Sequence, residues 1–258
     1  MSDAVRLSLD GAVATITLAR PEKLNALDRA MIDALAQMVA RIDDDQAIRA
    51  AIIVGEGKGF CAGGDIAAWG ALPPIEMWRS WTRAGHRAFD ALARLRVPLI
   101  AALSGHALGG GLELAGTADI RIAEAQVKLG LPETGIAMVP GWSGTQRLVR
   151  RFGSQAIRRL ALTGEIVTAE KALALGLVDE VVPAGEALAR ARAMAATIAG
   201  RGPAATAVAK QLINAAEGEG DAAATLEGLA GSLAAYTEDG AEGVASFREK
   251  RAPDYRNR

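Results

Sequence analysis

The chain predicts an α/β fold followed by an all-helical C-terminal region, and three observations carry that prediction. Short β-rich runs alternate with segments of helical periodicity from Val5 to Val182. Glycine-rich loops punctuate those runs, most densely at Gly55 to Gly64 and Gly105 to Gly111. Beyond Gly202-Pro203 the sequence becomes alanine-rich and reads as helix throughout, with one loop near Gly218-Glu219-Gly220. The expected organisation is therefore residues 1–197 as the α/β body and 198–258 as a helical region. A chain of 258 residues is long enough to bury a full core.

The elements follow in order. Val5, Leu7 and Leu9 alternate, Asp10-Gly11 supplies a tight turn, and Val13 to Leu18 gives a second β run, which together predict a hairpin. Arg20-Pro21 ends it. Met31, Ile32, Leu35, Met38, Val39 and Ile42 recur at helical spacing after Asp28. Ala50 to Val54 predicts a buried strand, followed by a loop with three glycines. A helix opens at Pro73-Pro74 and closes before Val97-Pro98. Leu99 to Leu103 is a short buried strand, after which the glycine run restarts the chain as a helix carrying Glu113. Strands are expected at Asp119 to Ala123, Val127 to Leu129 and Leu177 to Val182, with helices ending at Gly153 and Gly176, the latter opening at Thr168.

Composition narrows the function. Hydrophobic residues make up 50% and charged residues 23%, so the chain is a globular protein rather than a disordered one. A net charge of −1 offers no global attraction for nucleic acid. The single cysteine, Cys61, cannot form an intrachain disulfide and fits a reducing compartment. The N-terminal residues lack the pattern of a signal peptide, and the apolar run Leu99 to Ile120 is broken by Ser104, His106, Glu113 and five glycines, so no membrane association and a cytoplasmic location are expected.

Two glutamates stand out against this apolar background. Glu113 follows Gly109-Gly110-Gly111, and Glu133 follows Leu131-Pro132. Burial makes a carboxylate costly to ionise and lifts its pKa toward the range useful for acid and base chemistry. The loop Phe60-Cys61-Ala62-Gly63-Gly64-Asp65 carries a glycine pair, with Asp65 placed as an N-cap. One free N–H from each glycine loop, aimed at a single point, would make an oxyanion hole.

These segments resemble the signature blocks of the crotonase superfamily, the enoyl-CoA hydratases and isomerases. So do Arg20-Pro21-Glu22-Lys23-Leu24-Asn25-Ala26-Leu27, Val139-Pro140-Gly141, Gly144-Thr145-Gln146-Arg147-Leu148 and Phe247-Arg248-Glu249-Lys250-Arg251. The blocks occur in family order and span almost the whole chain. The resemblance implies a crotonase-like spiral of ββα turns with a C-terminal helical oligomerisation region, assembled as a homotrimer or a dimer of trimers. It implies that the N–H groups of Gly64 and Gly110 hold the thioester oxygen of an acyl-CoA substrate. Glu113 would act as base toward water, which attacks C3, and Glu133 would deliver a proton to C2 of a trans-2-enoyl-CoA. Lys23, Leu24, Ala26, Ala62, Asp65 and Ile66 would line the CoA and substrate site. Phe247 and Lys250 would reach the adenine end, from a neighbouring subunit. No metal and no separate cofactor are implied, because CoA arrives with the substrate.

The chain departs from the family pattern at Trp142 and Ser143, where small residues are usual, at Gly64, often alanine, and at His106, often tyrosine. The bulky Trp142 is expected to reshape the acyl pocket. The glutamate pair favours hydration over isomerisation, with an isomerase or a dehydratase of a specialised hydroxyacyl-CoA as alternatives. Gly141-Trp142-Ser143-Gly144-Thr145 nearly fits a serine-hydrolase elbow, which would make Ser143 a thioesterase nucleophile partnered by His86 or His106. Gly57 to Ala62 lacks an intact dinucleotide fingerprint. Cys61 reads as a small buried hydrophobe. Trp69, Trp78 and Trp81 read as core or lid, and the clusters Arg147-Arg150-Arg151 and Arg158-Arg159 as solvated helix faces.

Overall fold

Alternation along two central strands sets the architecture. In the computed structural model, which describes residues 3–220 and 222–258, the strands run in order β1 Val5–Asp10, β2 Val13–Leu18, β3 Ala50–Gly55, β4 Gly59–Cys61, β5 Leu99–Leu103, β6 His106–Leu108, β7 Ile120–Glu124, β8 Lys128–Gly130, β9 Ile166–Thr168 and β10 Glu180–Val182. Helices α1 Arg29–Asp44, α2 Ile66–Trp69, α3 Pro74–Glu76, α4 Arg83–Ala93, α5 Gly110–Ala115, α6 Arg147–Phe152, α7 Ser154–Thr163, α8 Ala169–Ala174, α9 Ala187–Ala199, α10 Pro203–Ala216, α11 Ala222–Ala235 and α12 Glu238–Glu249 connect and follow them. The structure forms two compact units, divided after Lys210.

Strands β3 and β5 are buried on both faces, as expected for the centre of a parallel sheet. Ala51, Ile53, Leu99 and Ala101 join the main core with the apolar stripes of α1 and α4. Their neighbours Ala50, Ile52, Ile100 and Ala102 face the other way and pack with Ala187, Ala191 and Ala195 of α9. Period-2 strands thus feed two hydrophobic layers from one run of residues. Helix α1 is capped by Asp28, whose side chain accepts from Met31 N at 2.9 Å.

The strands form two sheets. The larger has order β1-β2-β3-β5-β7-β10 and the smaller β4-β6-β8-β9. Each of β3, β5 and β7 is followed after a short turn by a strand of the smaller sheet, so successive β-β units repeat in a spiral, the expected fold. Strands β4, β6 and β8 are mutually parallel. Three loops therefore leave adjacent strands at the same edge of the small sheet.

Three differences from the sequence expectations concern local structure. Strands β4, β6 and β9 lie where loop or no element is expected, while helix α7 carries Arg158 and Arg159 on its exposed face, though its bounds are not among those expected. The helix expected from Pro73-Pro74 is interrupted by a π-helical stretch, Met77–Thr82, between α3 and α4. Arg147 is not solvated: it is 1% exposed and pairs with Asp90 at 2.5 Å. Arg151, half-buried, donates to the carbonyls of Gly116 and Ala118. A helix face that packs against carbonyl-rich turns needs such donors as much as a solvated face does, and charge count alone does not separate the two.

Candidate active site

The three loops at the ends of β4, β6 and β8 bring the singled-out residues together. Ala62 to Asp65 leave β4, Gly109 to Glu113 leave β6, and Leu131 to Glu133 leave β8. Gly63 adopts φ +99°, a conformation open to glycine, and a Cβ there would stand 3.1 Å from Gly110 N. The first two loops therefore touch. Among the described residues, no backbone carbonyl accepts from Gly64 N or Gly110 N. Both donors are available to a bound group.

A cavity of about 280 Å³ opens beside these loops. Glu113 and Glu133 both line it, as do Ala62, Gly64, Ile66 and Trp142. Glu113 lies on α5 and is 2% exposed. One of its oxygens, Oε1, accepts from Trp142 N at 2.7 Å and from Gly144 N at 2.6 Å. Burial pushes the Glu113 carboxyl up to about 7; the two N–H donors pull the other way, and the charge of Glu133 adds to the rise. The Glu133 carboxyl is also raised, by burial first, against a hydrogen bond from its own backbone N–H. Its Oε2 is buried with no hydrogen-bond partner among the described residues, which favours the protonated form. The short 3₁₀ turn Pro132–Ile136 that carries Glu133 is braced by Thr134, which donates to Ala161 O of α7 at 3.1 Å.

The segment Lys23 to Ala26 lies alongside without lining the cavity. Asn25, in the left-handed region at φ 56°, donates to Glu56 O and Gly59 O and accepts from Arg20 N. Ala62 N then bonds Leu24 O, and Leu27 N bonds Gly63 O. This fixes the strip of backbone beside the glycine loop. Asp65 caps α2 and pairs with Arg20 at 2.8 Å rather than facing the cavity, and the guanidinium helps to hold its carboxyl below the usual range. Phe247 and Lys250 belong to the second unit; Phe247 is 85% exposed, and Lys250 ends α12 in the left-handed region.

Ser143 does not line the cavity. Its Oγ is buried, 3.2 Å from His86 Nδ1 and 3.2 Å from Gln146 Nε2. A Ser–His contact exists, but it faces away from the chemistry, and the serine-hydrolase alternative loses its geometric basis. His106 sits on β6, where Nδ1 accepts from Lys128 N, a structural role. The Cys61 thiol is buried and pushed up to about 12, so it is inert. Trp81 is buried core that also walls the cavity, Trp69 is half-buried on the wall, and Trp78 is exposed. The contacts of the Trp142 and Gly144 N–H groups with Glu113 are features that residue types could not reveal, since backbone donors carry no side-chain signal.

Comparison with known proteins fits this geometry. The family model described as enoyl-CoA hydratase/isomerase matches residues 8–258. A probable enoyl-CoA hydratase of Mycobacterium bovis is 38% identical, over 99% of both chains. A crotonyl-CoA hydratase of Syntrophomonas wolfei is 36% identical over 96% of both. The crystal structure of an enoyl-CoA hydratase from Bacillus anthracis matches with a TM-score of 0.82 at 34% identity, covering 99% of this chain and 100% of that one. Among the described residues no helix is long and apolar enough to cross a membrane. Whole-chain similarity at this level leaves one conclusion: the chain belongs to the enoyl-CoA hydratase/isomerase family of the crotonase superfamily.

Proposed function

We propose that the protein is a hydro-lyase that adds water reversibly, and syn, across the double bond of a trans-2-enoyl-CoA. The observation that carries this reading is the meeting of two carboxyls with raised pKa values in one apolar cavity, beside two unused N–H donors. The two relatives named as hydratases support it.

The thioester oxygen sits at the N–H groups of Gly64 and Gly110, which take up the negative charge as C3 is attacked. Losing one such donor costs roughly 3 kcal/mol of transition-state stabilisation in comparable sites. The Glu113 carboxylate takes a proton from water as the water oxygen bonds C3, and Glu133 gives its proton to C2. Facing carboxyls titrate as a pair, so the competent state holds one proton, on Glu133. The backbone donors of Trp142 and Gly144 favour charge on Glu113; the bare Oε2 favours the proton on Glu133. The CoA moiety lies along the Lys23 to Ala26 strip, and no separate cofactor takes part. Helices α11 and α12 and the turn between them expose Leu226, Leu233, Tyr236 and Phe247, which supports assembly as a trimer or a pair of trimers.

Loss of enoyl-thioester absorbance on mixing with crotonyl-CoA tests the chemistry. The native chain should hydrate it, and Glu113→Gln or Glu133→Gln should each slow turnover by about 10²-fold or more while CoA-ester binding persists. Near-native turnover in either variant overturns that glutamate's role.

A further inference from the structure

The cavity is graded from wet to dry. Ile66, Ile136 and Val139 at its mouth are 57%, 54% and 69% exposed, whereas Trp81 and Trp142 at the other end are 5% and 4% exposed. The Trp142 indole stacks obliquely on Trp81 at 5.3 Å and on Phe89 of α4 at 5.2 Å. Phe89 does not line the cavity. The indole therefore stands between the cavity and the space beside α4.

Three glycines make room for it. A Cβ at Gly85 of α4 would fall on the pyrrole atoms Nε1, Cδ1 and Cε2. A Cβ at Gly110 would lie 3.0 Å from Cε3 and Cζ3, and one at Gly64 would lie 3.2 Å from Cη2. The benzo edge of the indole thus reaches the α-carbons of the two glycines whose N–H groups are free. A thioester held there has its acyl carbons starting within a few methylene lengths of the ring.

From this we infer that Trp142, seated in a slot opened by Gly85, is the floor of the acyl cavity and restricts the substrate to short acyl chains. The turnover readout of this inference rests on the hydratase reading; the binding readout does not. Native protein and the Trp142→Ala and Trp142→Phe variants are compared on trans-2-enoyl-CoA esters of four, six, eight and ten carbons. Affinity for the saturated butyryl and decanoyl esters is measured by calorimetry on the same proteins. The native chain should favour the four-carbon ester. The ratio of ten-carbon to four-carbon kcat/KM should rise about tenfold or more in Trp142→Ala, with Trp142→Phe between. Decanoyl affinity should rise in parallel. A native chain that handles ten carbons as well as four, or an unchanged ratio in both variants, overturns the floor. If no ester is hydrated, the hydratase reading fails, and the two affinities alone decide the floor: rising decanoyl affinity upholds it, unchanged affinity overturns it.

The slot has its own test. Gly85→Ala should lower the melting temperature and the four-carbon activity in the native background. In the Trp142→Ala background it should cost nothing, because the methyl enters vacated space. Equal loss in both backgrounds overturns the pairing of Gly85 with Trp142.

Discussion

Glu113 pays for its place in the core, and pH reveals how much. Its carboxyl is lifted from 4.5 to about 7, so between those values the folded chain holds a proton that the unfolded chain has lost. Folding stability from this group is complete below pH 4.5, falls as pH rises toward 7, and is flat above. At about 1.4 kcal/mol per pK unit the loss is about 3 kcal/mol. Glu113→Gln removes the ionisation, so it should gain stability over the native chain at pH 8 and not at pH 4.5. Denaturant midpoints at the two pH values check this, and an equal difference at both would contradict it. The kcat/KM of the native chain should fall as pH drops below about 7, where Glu113 takes up its proton.

At the scale of elements, the loop Gly141 to Gly144 is the seat of Glu113. Ser143 stands at φ +85°, a strained region for a residue with a Cβ, and the N–H groups on either side of it point to one oxygen. Its hydroxyl contacts with His86 and Gln146 hold that conformation. Ser143→Ala keeps the strain and loses the contacts, so stability should fall by about 1–2 kcal/mol and kcat by roughly tenfold with KM little changed. Ser143→Gly should recover part of the stability, because glycine removes the strain. Complete loss of activity in a folded Ser143→Ala protein would instead restore the nucleophile role.

The same scale explains what the sequence could and could not disclose. Strands β3 and β5 are runs of five or six buried apolar residues and are plain to read. Strands β4, β6 and β9 have three residues each, one beginning with a glycine, and no period can establish itself in three positions. Helix α7 hides its core side, Ala156, Ile157 and Leu160, around Arg158 and Arg159. The glutamate pair was legible because its loops are distinctive. The reason for Gly85 was not, since a helical glycine looks like a blemish until the indole 57 residues away is seen against it.

On the scale of the whole molecule, the exposed apolar side chains of α11 and the turn after it need an explanation. Leu226, Leu233 and Tyr236 are 64%, 72% and 92% exposed. Such a patch on a free chain invites association. Light scattering should give a mass of three or six chains, and Leu226→Glu with Leu233→Glu should shift it toward smaller species. A native monomer at micromolar concentration would overturn the trimer.

One residue does two unrelated jobs with two different parts of itself. The main chain of Trp142 donates to Glu113, and its side chain floors the cavity in the reading given above. Any replacement except proline keeps the donor, so substrate choice can drift at this position under selection while the acid–base machinery stays intact. Proline alone would strike both at once. A lineage could therefore explore new acyl groups here through single-codon changes without first passing through a dead enzyme, and Gly85 would be free to change afterwards.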